Sequence, residues 1–325
     1  MGIMQMEQKK LRFGSFLEIE DYIAVLFVAI VGALYLYTYL HHQRVSGEKF
    51  NIFYYFLLPL ALVILKETLL YFWSQSASAW GFVRIFRDWF PFMLILGLYY
   101  SFYDGVNQFI NLAAKDRVLA DLDAFLFGGQ ISIYTEKFLD FPGLADWLSF
   151  AYFSFIFIPA LIGGFFYFKR DYLSFKSAML SLVILEFFGC LGYLLVPAIG
   201  PLYAFPEWYT MPVYSFGSDF NRWMENMHHL VKLPRDCFPS LHTAISALFL
   251  FSCWPKYRWL FFLMFPLVFS LWVSTVMLRY HYLVDVLAGL LLAAAIYWLQ
   301  RKLIIPYYKK RLERSPAFNE TFFKL

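Results

Sequence analysis

The chain has 325 residues, 61% of them hydrophobic and 15% charged, with a net charge of +4. Soluble domains sit nearer half apolar and a quarter charged. The apolar excess is gathered into runs about 20 residues long, the length that crosses a bilayer core of roughly 30 Å as a helix, so a water-soluble globular protein is excluded.

In chain order, Lys9, Lys10 and Arg12 precede a first apolar run over about 22–40. It is too long for the apolar part of a cleaved signal and no small-residue cleavage site follows, so it reads as a retained span. Seven further spans are expected at about 52–73, 86–104, 146–168, 176–198, 239–254, 258–276 and 282–304. The expected fold is therefore all-α, a polytopic bundle of about eight transmembrane helices in a single membrane domain. It divides into N-terminal spans over 1–83, a core over 84–304 and a tail over 305–325. Placing both termini in the cytoplasm puts 17 Lys and Arg in inside segments and 9 in the longer outside segments; Lys66, within a span, completes the 27. That is the positive-inside pattern.

Two outside segments have character of their own. Residues 105–145 mix apolar and charged positions, as in Val118-Leu119-Ala120-Asp121-Leu122-Asp123-Ala124-Phe125-Leu126-Phe127, and read as a helix lying in the membrane interface. Residues 199–238 carry Pro201, Pro206, Pro212, Trp208 and Tyr209 and read as an ordered cap. Within the spans, Lys66, Glu67 and Glu186 are charges that must be paired or functional; a structural pair between Lys66 and an acid such as Glu186 is one reading, an ion path the other. His41, His42, His228 and His229 fall in loops. The three cysteines, Cys190, Cys237 and Cys253, form no CxxC pair, which argues against a disulfide framework or a zinc site. They read as small core residues, with Cys237 set apart because it adjoins a histidine motif.

The chemistry is concentrated in two stretches, Cys237-Phe238-Pro239-Ser240-Leu241-His242-Thr243 and Arg279-Tyr280-His281-Tyr282-Leu283-Val284-Asp285. Pro239 marks a helix start, and first-turn N–H groups attract anions, so Ser240 and His242 lie where a phosphate settles. Asp285 is four residues after His281, within reach of the ring if both are helical. A carboxylate that holds one ring nitrogen as N–H leaves the other as a nucleophile. Arg235 and Arg279 flank the motifs on the same side and suit bidentate phosphate recognition; contact with anionic lipid headgroups is the competing use. Two spans separate the histidines, so both lie at the outer face and can meet. Taken singly, each histidine or the His281–Asp285 pair also fits a structural role. The pair of histidines fits axial haem ligation as well, in a membrane electron carrier.

Together, Phe238-Pro239-Ser240-Leu241-His242-Thr243, Ser274-Thr275 and His281-Tyr282-Leu283-Val284-Asp285 resemble the type 2 phosphatidic acid phosphatase (PAP2) superfamily. The likeness is greatest to its branch containing inositol phosphorylceramide synthase and related bacterial membrane proteins. Arg87-Asp88-Trp89-Phe90-Pro91-Phe92, Leu122-Asp123-Ala124-Phe125-Leu126-Phe127-Gly128-Gly129 and Gly200-Pro201 agree, extending the resemblance over roughly 84–295. It implies His281 as the nucleophile that forms a phosphohistidine, Asp285 as its orienting carboxylate, His242 as the acid that protonates the leaving oxygen, and Ser240 with nearby N–H groups as the phosphate cradle. The superfamily has Gly where Leu241 stands, Arg where Thr275 stands, and an upstream Lys-x6-Arg-Pro motif that has no counterpart here. The cationic clamp must then come from Arg235, Arg279, Lys232 or Arg222. The expected partners are a phospholipid or sphingolipid-type substrate and an alcohol acceptor such as inositol, or water in a phosphatase; no metal, cofactor or nucleic acid is expected.

Overall fold

The computed structural model describes residues 18–41, 58–73, 82, 85–93, 113–141, 143–210 and 235–314. The chain divides into two compact units, Met1–Phe102 and Tyr103–Leu325.

In the first unit, α1 (Ile19–His41) and α2 (Leu58–Trp73) coincide with the first two expected spans, and residues 85–93 are helical within the third. An ammonium in an apolar helix must find a counter-charge. Lys66 of α2 finds it in Asp21 of α1, with Glu67 at 3.7 Å and the Phe90 ring 5.1 Å beneath the nitrogen. Lys66 thus pairs with an acid, as a charge in a span demands, and that acid is Asp21, which the sequence alone could not choose. Arg87 is likewise matched, to Asp88 at 2.6 Å.

The second unit begins with α3 (Asp116–Phe127), a short α4 (Ile131–Thr135) and α5 (Leu144–Phe153), which a 3-10 turn joins to α6 (Phe157–Phe168). After these come α7 (Tyr172–Leu195), a single turn at Pro201–Ala204, α8 (Leu241–Cys253), α9 (Arg258–Met277) and α10 (Leu283–Leu299). A π-helical turn, Gln300–Ile304, carries α10 on into α11 (Ile305–Arg314). The last helix therefore does not end at 304 as expected. Four helices among the described residues are long and apolar enough to span a membrane: Leu144–Phe168, Tyr172–Leu195, Arg258–Met277 and Leu283–Arg311.

The exception is α8. Its 13 residues rise about 20 Å, against about 30 Å for the 20 residues of α9. It is apolar on every side and buried along almost its whole length, as a helix at the centre of a bundle should be. It packs on α6, α7, α9 and α10. A central helix has protein rather than lipid around its ends, so it need not match the bilayer thickness. Glycines mark how deep it starts. A Cβ at Gly289, midway along α10, would collide with the Ser240 carbonyl, and one at Gly192 of α7 with the Pro239 ring. The start of α8 is thereby recessed alongside the bodies of its neighbours.

The α3 helix buries Asp116, Leu119, Ala120 and Asp123, a single stripe at helical spacing, and exposes Val118, Leu122, Phe125 and Leu126. The amphipathic helix expected within 105–145 is present; its buried stripe carries two carboxylates, whose use becomes clear at the site.

Candidate active site

After α9 the chain turns back into α10 over five residues. Arg279 adopts a left-handed conformation (φ 68°), and the Thr275 carbonyl accepts the N–H groups of both Tyr280 (3.0 Å) and His281 (2.9 Å). Tyr282 caps α10, so His281 lies before the first turn and not on the helix face assumed from the sequence. Its approach to Asp285 arises from the cap: one Asp285 oxygen accepts the Tyr282 N–H (2.9 Å) and lies 3.5 Å from His281 Nδ1.

A closer acceptor fixes the His281 ring. The Cys237 carbonyl lies 2.9 Å from Nδ1. A carbonyl only accepts, so Nδ1 carries the proton and Nε2 presents its lone pair. That lone pair faces His242 Nδ1 at 3.3 Å. The His242 ring stacks on Tyr152 (centroids 4.6 Å, 29°) and rests against Phe155 at 4.2 Å, an aromatic wall supplied by α5 and the turn after it. The two histidines, 39 residues apart, therefore meet directly, both buried.

The sequence profile of the PAP2 superfamily matches residues 117–299, more than half of the chain. The chain belongs to the PAP2 superfamily. Its members are phosphatases or phosphotransferases, and the apolar helices make this one an integral membrane protein. Comparisons with curated proteins and with solved structures return no match.

Two departures from the PAP2 pattern have visible counterparts. Leu241 stands where the superfamily has glycine, and its side chain fills space left by Gly189 of α7, where a Cβ would overlap it. Thr275 stands where the superfamily has arginine; its side chain is buried and its hydroxyl donates to the Trp272 carbonyl (2.7 Å), so this position supplies no cation.

Of the other expected site residues, Ser240 is the N-cap of α8. Its Oγ accepts the Thr243 N–H (3.4 Å) and lies 3.2 Å from the Thr243 hydroxyl, which places it at the helix start but turns it toward the helix itself. Arg279 is buried, donates to Glu136 at 2.9 Å and lies over the Tyr209 ring at 4.1 Å. Glu136 also accepts the Thr210 N–H (3.0 Å), and burial pushes the Tyr209 phenol up to about 12. Arg279 thus ties the segment after α4 and the 206–210 turn to the histidine loop. Arg235 is half-buried two residues before Cys237. Lys232 and Arg222 lie outside the described residues. Glu186 is buried within α7.

The sequence assigns no role to three neighbours of the site, Cys237, Asp116 and Asp123. The Cys237 thiol donates to Asp285 Oδ2 at 2.8 Å, and burial, with the Asp285 charge, pushes that thiol well above its usual range. Asp116 accepts the N–H groups of Ile199 (3.1 Å) and Gly200 (2.9 Å) and the Tyr282 hydroxyl (3.0 Å). Asp123 accepts the first two N–H groups of α10, from Leu283 and Val284, each at 2.8 Å. Burial raises both carboxyls above the usual carboxylate range despite these bonds. The available signal was the spacing 116, 119, 120, 123, which puts both acids on one face of α3.

Proposed function

We propose that the protein is a membrane phosphotransferase that works on a phosphorylated or phosphodiester lipid through a phosphohistidine at His281. The observation that carries this reading is the contact between His281 Nε2 and His242 Nδ1 at 3.3 Å, with the opposite face of the His281 ring held as N–H by the Cys237 carbonyl. Nε2 attacks phosphorus as the bond to the leaving oxygen breaks, and His242 delivers its proton to that oxygen. An acceptor hydroxyl then attacks phosphorus, His242 takes its proton, and the P–N bond breaks. Because the two nitrogens are in contact, the phosphate enters by displacing the His242 ring along its aromatic wall.

Transition-state charge in this chemistry spreads over the phosphate oxygens and needs fixed cations. Arg235, Lys232 and Arg222 are the proposed clamp. Arg279, already matched by Glu136, is proposed to hold the cap in place and to share the phosphate only if that ion pair opens. Losing the principal clamp is expected to cost about 10²–10³ in rate. The basic residues Lys169, Arg170, Lys256, Arg258, Arg301 and Lys302 gather at the helix ends away from the histidines, which favours an active site on the exterior or lumenal side. Transfer to an alcohol such as inositol is the preferred outcome, on the resemblance of the motifs to the inositol phosphorylceramide synthase branch. Hydrolysis is the second reading, since water can replace the alcohol without any change of residues.

Purified protein incubated with lipid phosphates labelled at phosphorus is expected to give an acid-labile phosphoprotein, absent in His281→Ala. Label persisting in that variant would remove His281 as the nucleophile. Adding inositol or other alcohols during turnover separates the two outcomes: label passing to the alcohol marks a transferase, and release of phosphate alone marks a phosphatase.

A further inference from the structure

Behind the His281 ring, away from His242, three different donor atoms converge. His281 Nδ1 lies 3.5 Å from Cys237 Sγ and 3.5 Å from Asp285 Oδ2, and the sulfur and that oxygen are 2.8 Å apart. All three residues are buried. Neither Cys237 nor Asp285 is asked to touch phosphate in the proposed reaction, so the chemistry of this cluster is not exhausted by it.

We infer that Cys237, His281 and Asp285 form an inhibitory site for a thiophilic divalent cation such as Zn²⁺. A tetrahedral zinc ion bound at about 2.3 Å to sulfur, 2.0 Å to nitrogen and 2.0 Å to oxygen holds its donors roughly 3.3–3.5 Å apart. Two edges of the observed triangle already have that length. The third, between sulfur and oxygen, is short because a proton bridges it; replacing that proton with a metal opens it by about 0.7 Å on the same geometry. The Cys237 carbonyl, 2.9 Å from Nδ1, or a solvent molecule is placed to complete the four ligands. A mixed sulfur, nitrogen and oxygen set selects zinc, cobalt or cadmium over magnesium and calcium, which take oxygen alone. Cysteine spacing gave no hint of this, because the other two donors lie 44 and 48 residues along the chain from Cys237.

The inhibition follows from the ring. A metal bound to Nδ1 displaces its proton, and a neutral imidazole must then carry that proton on Nε2. The Cys237 thiol gives its proton to solvent, so one proton leaves per metal bound. The lone pair that attacks phosphorus is thereby consumed, while the phosphate side of the ring stays open. Zinc therefore lowers kcat and leaves KM unchanged. Metal binding stands on the donor geometry alone; its inhibitory consequence rests on the phosphohistidine reading above.

The test is a Co²⁺ titration of the purified full-length protein in detergent, followed in the near ultraviolet for a thiolate-to-cobalt charge-transfer band. One equivalent of Co²⁺ is expected to generate the band in the wild type, in Cys190→Ser and in Cys253→Ser, but not in Cys237→Ser. Asp285→Asn is expected to weaken Co²⁺ binding tenfold or more, a second check if Cys237→Ser fails to fold. No band in the wild type, or a band that survives Cys237→Ser, overturns the site. In turnover assays, Zn²⁺ inhibition reversible by a chelator with KM unchanged supports the tautomer mechanism, whereas a rise in KM overturns it. Absence of any phosphoprotein alongside an intact cobalt band would sink the phosphohistidine reading while leaving the metal site in place.

Discussion

The helices that start beside the two histidines begin in opposite ways. At the start of α8 the cap is the neutral hydroxyl of Ser240, which takes the Thr243 N–H. At the start of α10 two carboxylates do this work: Asp285 takes the Tyr282 N–H and Asp123 those of Leu283 and Val284. A helix start carries partial positive charge and attracts anions. That of α10 is already satisfied by acids, so in the proposed reaction an incoming phosphate is drawn toward α8, where His242 would hold the proton. His281, beside the acid-filled end, is left to supply the lone pair. In the proposed reaction the division of labour between two identical side chains is set by what caps their helices.

The sharpest way to break this comparison is to neutralise the acid nearest His281, the proposed nucleophile. Asp285→Asn keeps an oxygen for the Tyr282 N–H but removes the charge that orients His281, and kcat is expected to fall by about 10³–10⁴. Steady-state rates with KM near the wild-type value would bear this out; a loss below tenfold would show that the Cys237 carbonyl alone holds the ring. Next comes the cap itself. Asp123→Ala strips two N–H groups of α10 and is expected to cost about 1–2 kcal/mol of stability, measured by thermal unfolding in detergent, with kcat reduced more than KM. Ser240→Ala, losing one weaker cap bond, is expected to cost about 1 kcal/mol; an equal or larger loss than in Asp123→Ala would erase the asymmetry.

A packing test probes the depth at which α8 starts. Gly189→Ala alone drives a methyl into Leu241 and is expected to destabilise by about 1–3 kcal/mol. In the Leu241→Ala background the same change is expected to cost much less, so a double-mutant cycle that comes out additive would refute the contact.

The smallest effect concerns pH at the other end of the bundle. Burial opposes ionisation of Asp171, but the Lys256 ammonium (2.9 Å), the Ser174 hydroxyl (2.8 Å) and the Ser174 N–H outweigh it and hold the carboxyl below its usual value. A lowered value means stability that is present above the unfolded-state value and is lost as pH falls through the folded one. Asp123, raised by burial, has the opposite sign: its ionised form is the costly one, and it takes up a proton first as pH falls. Acidification is therefore expected to open the Asp171–Lys256 link while leaving the α10 cap closed. Amide exchange at Leu283 and at Ser174, followed against pH, reads the contrast directly.

What could be seen in advance was local or topological. The apolar runs marked the helices from α5 to α10, and the two spans between His242 and His281 were enough to bring their rings to one end. Tertiary neighbours were invisible for a physical reason. The partners of Asp116 are 83 to 166 residues away, and those of Asp123 about 160; no local pattern encodes which N–H groups a buried acid will meet. Arg279 looked like a phosphate ligand because its type and position allow it, and only the fold reveals Glu136 beside it. Cys237 stood out only by adjoining a histidine motif, and only the fold reveals the carboxylate its thiol meets.

The brevity of α8 has a bearing on where reaction takes place. A lipid travels with its tails in the leaflet, and a catalytic group standing at the water boundary would have to lift the headgroup clear of its neighbours. In the proposed reaction His242, near the recessed start of α8, would meet a lipid phosphodiester nearer its resting depth, and the small hydroxylic acceptor would make the descent. Competition between water and alcohol would then turn on which of them reaches His242.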